Sequence, residues 1–151
     1  MKNLQSLRIL IPLCALAMMG GVSCTTTDFA SSTGGSSSSV VRHAKSWHGK
    51  HYKPGTSRQC ANWVTHVVSK AGKKPPPGSS ASRSWVNWGK SIPRSQIQPG
   101  DVLVFSGTYK SGISHVGIAL GGGQFIHRST NSAPVKVSTL NNYRIASVRR
   151  G

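Results

Sequence analysis

Residues 114–128 read Ser-His-Val-Gly-Ile-Ala-Leu-Gly-Gly-Gly-Gln-Phe-Ile-His-Arg, and this run decides the fold. Two short apolar segments flank three consecutive glycines, a pattern that predicts two β-strands joined by a tight hairpin. A turn centred near Gly122 places His115 and His127 on neighbouring strands, so the hairpin is expected to bring the two imidazoles close together.

The rest of the chain supplies helices before this hairpin and strands on both sides of it. Residues 60–71 form the clearest predicted helix, with apolar residues at helical spacing and Gly72 at its end. Shorter helices are predicted at residues 40–47 and 82–88, and further strands at residues 101–106, 135–137 and 145–149. This order predicts an α+β domain, with N-terminal helices packed on a small antiparallel β-sheet.

The N-terminus has the features of an export signal. Lys2 and Arg8 precede an apolar run that is too short to span a bilayer comfortably, so residues 1–23 are predicted to be a signal peptide. Residues 21–24 resemble a bacterial lipobox in which Cys24 would be lipidated, and ordinary cleavage near Ser23 is the alternative. The protein is therefore expected to be exported, as a periplasmic or outer-membrane lipoprotein or as a secreted protein.

Residues 24–39 are rich in Ser, Thr and Gly and are predicted to be a flexible linker, which leaves residues 40–151 as the folded domain. The chain has 19 Lys and Arg against two acids, a formal net charge of +17. Such a charge attracts polyanions. Behind an export signal the expected partners are anionic cell-envelope polymers or lipids, with no nucleic acid, and the protein is expected to be a monomer.

The shortage of acids also excludes several kinds of chemistry. Glycosidases normally use two carboxylates, and magnesium or calcium sites need several. Asp101 is the acid that lies in the predicted domain, and its place after a Pro-Gly turn favours a structural role. No cofactor is predicted. A zinc site at His43, His48 and His51 is disfavoured, because no acid or second cysteine lies nearby.

Cys60 is the candidate nucleophile. Cys14 would leave with the leader and Cys24 lies outside the predicted domain, so Cys60 is the one thiol within it. It opens the clearest predicted helix, where free N–H groups and the helix dipole favour a thiolate and can hold an oxyanion. His115 would then act as the base and His127 as the group that orients it. A buried, unreactive thiol is the alternative.

Three segments carry a resemblance to a known family: QPGDVLVF at 98–105, SHVGIAL at 114–120 and GQFIH at 123–127. With these, the chain resembles the NlpC family of bacterial cell-wall cysteine peptidases, a branch of the papain-like fold. The resemblance implies that Cys60, His115 and His127 are catalytic. It also implies that Tyr52, in the segment at 51–55, places its hydroxyl near the thiol and the substrate carbonyl.

The residues around Cys60 depart from the family pattern. The family commonly has Asp before and Ser-Gly after the cysteine, whereas Gln59 and Ala61 flank it here. A Gln at this point is similar to the related CHAP amidases. Gln59 and Ala61 are expected to support the substrate or the oxyanion, because they adjoin the nucleophile.

The resemblance implies that the protein hydrolyses an amide bond in peptidoglycan stem peptides, between D-glutamate and diaminopimelate or lysine. An N-acetylmuramoyl-alanine amidase is the alternative within hydrolases. A non-catalytic, basic lipoprotein that binds the cell wall is the alternative from another class, and an effector toxin aimed at competitors is a third. The sequence leaves open whether the four tryptophans belong to the core or to the rim of a cleft.

Overall fold

The computed structural model describes residues 33–56, 58–129 and 133–151. The predicted signal peptide, Cys24 and the linker before Thr33 therefore lie outside the described residues. The elements in the described part are α1 (Thr33–Lys45), α2 (Cys60–Lys70), β1 (Lys90–Ser91), β2 (Val102–Ser106), β3 (Ile113–Gly121), β4 (Gln124–Arg128), β5 (Val135–Thr139) and β6 (Arg144–Arg150), with 3₁₀ helices at Ser82–Asn87, Arg94–Gln96 and Leu140–Asn142.

The six strands of the described part form one antiparallel sheet in the order β1-β6-β2-β3-β4-β5. The predicted hairpin is present, with Ile118 opposite Ile126 and with Gly121 and Gly122 at φ angles of 89° and 57°. These left-handed angles suit glycine, since a side chain disfavours them. The α+β class predicted from the sequence is confirmed.

Both faces of the sheet are covered, which explains why β2 is a continuous apolar run. Val102 and Val104 face the core cluster beneath α2, whereas Leu103 and Phe105 belong to a second cluster on the other face. The helix contributes its own buried side: Ala61, Trp63, Val64, Val67 and Val68. Burial of such side chains stabilises by roughly 1.5–3 kcal/mol each, so the sheet fixes the position of the α2 N-terminus firmly.

The boundaries of several elements differ from the prediction. Helix α1 begins at Thr33, within the segment that was expected to be a linker, rather than near residue 40. Val40 and Ala44 are fully buried and anchor this helix. Their packing outweighs the low helix propensity of the Gly and Ser residues before them, because tertiary packing supplies most of the stability of a helix. Strand β1 was not predicted, because its two exposed residues carry no pattern; it exists through pairing with β6.

Asp101 has the structural role that its turn position indicates. Its side chain is 1% exposed, and its two carboxylate oxygens accept hydrogen bonds from Nε and Nη2 of Arg150 at 2.7 and 2.8 Å. The backbone N–H of Gln98 also donates to it, at 2.8 Å. The carboxylate thus ties the turn before β2 to the end of β6, and it is committed to that contact.

Three of the four tryptophans belong to the core. Trp63 and Trp85 are fully buried and Trp88 is 7% exposed, while Trp47 is half-buried against Tyr52.

No helix among the described residues is long and apolar enough to cross a membrane.

Candidate active site

Cys60 is the first residue of α2 and lies at the junction between the core and an open cleft. Its side chain is 3% exposed, and Sγ lies 3.6 Å from the Ser82 hydroxyl oxygen. The first backbone hydrogen bond of the helix runs from Trp63 N to Gln59 O, at 2.9 Å. The N–H groups of Cys60 and Ala61 precede that bond, and the positive end of the helix dipole lies there. A negative charge on the sulfur or on a bound carbonyl oxygen is therefore favoured.

The hairpin brings His115 and His127 into direct contact. His115 Nε2 lies 2.8 Å from His127 Nδ1, and the two rings are nearly perpendicular, at 82°. Their exposed fractions are 4% and 1%. Packing fixes both rings, since His115 stacks on Phe105 at 5.9 Å between centroids and His127 lies 4.6 Å from Phe125. The pair is thus held on rigid strands in one orientation.

A third group continues this chain of hydrogen bonds. His127 Nε2 lies 2.9 Å from the hydroxyl of Ser138, on β5. If the Ser138 hydroxyl oxygen accepts a hydrogen bond from His127 Nε2–H, His127 Nδ1 can accept one from His115 Nε2–H, and a lone pair is left on His115 Nδ1. The reverse direction would place a proton on Nδ1 and remove the base. The serine hydroxyl is therefore the group that can set the tautomer of both imidazoles.

Burial keeps both imidazoles neutral. It lowers the pKa of His115 from its ordinary 6.5 to about 4. Burial, followed by the positive charges of His115 and Lys136, lowers the pKa of His127 to about 3. Above about pH 4 the neutral His115 ring keeps a lone pair that can accept a proton from a thiol.

The histidines and the thiol line the same cleft, which has a volume of about 1160 Å³. Cys60, His115 and His127 all contribute to its lining. The charged side chains in its lining are all basic, and the rest carry hydroxyls, amides or apolar groups; the basic ones are Arg58, Lys136 and Arg144. Among the described residues the lining has no carboxylate, so the cleft suits a substrate with negative charge near the reacting bond.

The three predicted supporting residues lie close to Cys60 in sequence, but their side chains point elsewhere. The Tyr52 hydroxyl donates to the Asn62 carbonyl at 3.3 Å, and the Gln59 side chain accepts from Asn62 Nδ2 at 2.6 Å. Ala61 is buried, with 1% exposure. In the described lining of the cleft, Tyr52, Gln59 and Ala61 do not appear. Their contact with substrate stays a prediction, and Ala61 would act through its backbone N–H.

Three residues near the site were not singled out from the sequence. Ser138 lies one residue beyond the predicted end of its strand at Val137, so the sequence did not indicate that it would face the neighbouring strand. Ser82 contacts the thiol from a separate 3₁₀ helix, and Tyr143 lies 5.7 Å from the His127 ring. These contacts depend on how distant segments pack, which local patterns do not encode.

In the described part of the chain, His, Cys, Asp and Glu form no group of three that could hold a metal ion.

The buried histidines make stability depend on pH. In the unfolded chain these histidines bind protons below about pH 6.5. In the folded chain they stay unprotonated until the pH falls to about 4 or below. Stability is therefore fully present above pH 6.5 and falls as the pH falls toward 4. The loss is expected to be about 3 kcal/mol from His115 alone. Urea unfolding at pH 7 and pH 4.5 measures it.

The matched control for this prediction is an exposed histidine. His51→Gln is expected to leave the pH dependence of the unfolding free energy unchanged, because His51 is exposed. The double variant His115→Gln, His127→Gln is expected to flatten it. Equal slopes in the double variant and the parent would show that these imidazoles are not the groups that titrate.

The architecture, helices packed on a six-strand antiparallel sheet with a thiol and two histidines at one cleft, is that of a papain-like domain. The sequence profile of the NlpC/P60 family matches residues 44–149, and the chain belongs to this family. The family recognised from the sequence is thereby confirmed.

Individual relatives agree with this assignment. The chain is 39% identical over 107 residues to the gamma-DL-glutamyl hydrolase of Bacillus subtilis (strain 168), covering 67% of this chain and 25% of that protein. It is 36% identical over 96 residues to the probable endopeptidase p60 of Listeria monocytogenes, covering 61% of this chain and 19% of that protein. The solved NlpC/p60 domain of the peptidoglycan hydrolase SagA superposes with a TM-score of 0.59 at 28% identity, covering 76% of this chain and 98% of the solved domain. The chain spans a quarter or less of the two curated relatives.

Proposed function

We propose that this protein is an exported cysteine peptidase that hydrolyses the amide bond between D-glutamate and the diamino acid of peptidoglycan stem peptides. The observation that carries the proposal is the His115–His127 contact of 2.8 Å in a cleft that also holds Cys60 at a helix N-terminus. Membership of a family with relatives named endopeptidase and peptidoglycan hydrolase supports the same class of substrate.

The proposed chemistry uses Cys60 as nucleophile and His115 as base. Cys60 gives its proton to His115 Nδ1, and the sulfur attacks the amide carbonyl to form a tetrahedral intermediate. The N–H groups of Cys60 and Ala61 stabilise the oxyanion. His115 returns the proton to the leaving amine as the C–N bond breaks, and water then hydrolyses the thioester, which restores the thiol and releases the carboxylic acid.

The basic cleft supports the choice of bond. A glutamate linked through its γ-carbonyl keeps a free α-carboxylate, and the cleft offers Arg58, Lys136 and Arg144 to receive such a charge. The similarity to a gamma-DL-glutamyl hydrolase points to the same linkage. The predicted export signal would deliver the domain to the cell envelope, where peptidoglycan lies.

Mass spectrometry of muropeptides digested by the purified protein tests the proposal. The expected product pair is a disaccharide that carries a shortened stem peptide ending in D-glutamate, and a peptide that begins with the diamino acid. Release of an intact stem peptide with a free alanine N-terminus would show an amidase instead, the activity that Gln59 beside the cysteine favours by its similarity to CHAP amidases. Binding to the wall without any new product would identify a non-catalytic wall-binding protein.

A further inference from the structure

Ser138 stands at the end of the hydrogen-bond chain that starts at His115. Phe125 on β4 lies opposite Ser138 on β5, so the serine is a diagonal neighbour of His127. Its hydroxyl oxygen lies 2.9 Å from His127 Nε2, and His127 Nδ1 lies 2.8 Å from His115 Nε2. Both distances are normal for hydrogen bonds. The two contacts therefore link side chains of three adjacent strands, β3, β4 and β5.

The direction of these hydrogen bonds decides which ring nitrogens carry protons. With the serine oxygen as acceptor, both imidazoles are protonated on Nε2, and His115 Nδ1 keeps its lone pair. With the serine O–H as donor, both imidazoles are protonated on Nδ1 instead. The proposed mechanism needs the first arrangement, because His115 Nδ1 takes the proton of the thiol.

The surroundings of the two ends of the chain favour the first arrangement. Ser138 is half-buried and belongs to the lining of the cleft, so its own O–H can donate to water or substrate there. The His115 side chain is 4% exposed, and among the described residues its ring is hydrogen-bonded through Nε2. A proton on Nδ1 would be a nearly buried donor with no acceptor in that part of the chain, which is unfavourable.

No carboxylate takes the place of this serine in the described part of the chain. Asp101 is the acid there, and its two oxygens accept hydrogen bonds from Arg150. A carboxylate only accepts hydrogen bonds and would fix their direction by itself, whereas a hydroxyl can accept or donate. The orientation of the histidine pair therefore depends on the serine acting as an acceptor.

We propose that Ser138 is a positioning residue that accepts a hydrogen bond from His127 Nε2–H and thereby holds His115 in the tautomer whose Nδ1 can take a proton. The inference rests on the proposed function in one respect, the use of His115 as the base. Ser138 acts through His127 and makes or breaks no bond itself.

Nuclear magnetic resonance of the ring nitrogens tests this role, because protonated and unprotonated imidazole nitrogens have clearly different nitrogen-15 shifts. Comparison with His115→Gln and His127→Gln assigns the signals of the two rings. In the parent at neutral pH, both rings are expected to carry their proton on Nε2. A parent with both protons on Nδ1 would overturn the proposal, and this measurement needs no Ser138 variant to fold.

Ser138→Ala removes the acceptor of the His127 Nε2–H. The form of both rings with a proton on Nδ1 is expected to become populated, and kcat for muropeptide hydrolysis is expected to fall with little change in KM. The expected loss is about 10- to 100-fold, as when a partner that orients a metal-bound histidine is removed. Ser138→Thr keeps the hydroxyl and is expected to retain the tautomers and kcat of the parent.

Unchanged nitrogen shifts in folded Ser138→Ala would overturn the proposal whatever the rate, because a merely structural serine leaves the tautomers in place. The shifts are measured without peptidoglycan, so a protein that cleaves no muropeptide can still show the change of tautomer. Failure of this inference is thus distinguishable from failure of the proposed function.

Ser147→Ala is the matched control, since Ser147 is a half-buried serine on β6 outside the described lining of the cleft. It is expected to leave both the tautomers and kcat unchanged. A change of tautomer in Ser147→Ala as large as that in Ser138→Ala would show that loosening of the sheet moves the protons, which would also contradict the proposal.

Discussion

Replacing Cys60 with alanine is expected to abolish hydrolysis of peptidoglycan stem peptides, with a rate loss of at least about 10,000-fold. Alanine cannot form the thioester, so both steps of the covalent route, formation and hydrolysis of the thioester, are lost. The cleft, its basic lining and the paired histidines remain, and binding to the cell wall is expected to persist. Muropeptide release and sedimentation with purified peptidoglycan measure the two properties separately.

Cys24→Ala is the matched control for this experiment. It removes a thiol at the predicted lipidation site and leaves the cleft intact, so the purified variant is expected to keep the parent's rate. Cys60→Ala is expected to remain folded, because the loss of one buried sulfur removes little apolar volume. A rate within tenfold of the parent in folded Cys60→Ala would place the nucleophile elsewhere.

The sequence was sufficient to predict the parts of the fold that local patterns encode. The glycine run at 121–123 predicts the hairpin, and β4 has the predicted bounds, Gln124–Arg128. The helix that begins at Cys60 is recognisable from its apolar spacing, because its buried side faces one continuous core. These features carry their own periodicity, and the His115–His127 contact follows from the hairpin alone.

Other features depend on contacts between distant segments. Ser138 reaches His127 because β5 continues past Val137 to Thr139 beside β4. Arg128 is buried because a loop more than 70 residues earlier in the chain turns its carbonyls toward it. A charged residue at a strand end ordinarily predicts exposure. Neither contact leaves a local pattern, so only the folded arrangement reveals the extended hydrogen-bond chain and the buried cation.

Tyr52 lies in the loop whose backbone carbonyls accept hydrogen bonds from Arg128, and its side chain is also held by neighbours. Its hydroxyl is held by the Asn62 carbonyl, and its ring packs against Trp47, at 5.3 Å, and His66, at 5.8 Å. Its own carbonyl accepts from Arg128. The segment before Cys60 is thus held in place by aromatic packing and by the Arg128 guanidinium.

Replacing His115 with glutamine is expected to slow hydrolysis by about 100- to 10,000-fold, the range typical of losing a general base. Glutamine can still hydrogen-bond His127, so the fold of the hairpin is expected to survive. In the proposed mechanism the variant lacks the group that takes the thiol proton and returns it to the leaving amine. Muropeptide release at saturating substrate, compared with release at low substrate, shows whether the loss lies in kcat.

His66→Gln is the matched control for that variant. His66 is a half-buried histidine that packs edge-on against Trp47 and takes no part in the described lining of the cleft. It is expected to keep the parent's kcat, whereas His115→Gln loses it and retains KM, because substrate binding relies on the basic lining. The lost rate in His115→Gln is also expected to recover partly at alkaline pH, where the thiol ionises without a base. A kcat unchanged at neutral pH would show that His115 is not the group that takes the Cys60 proton.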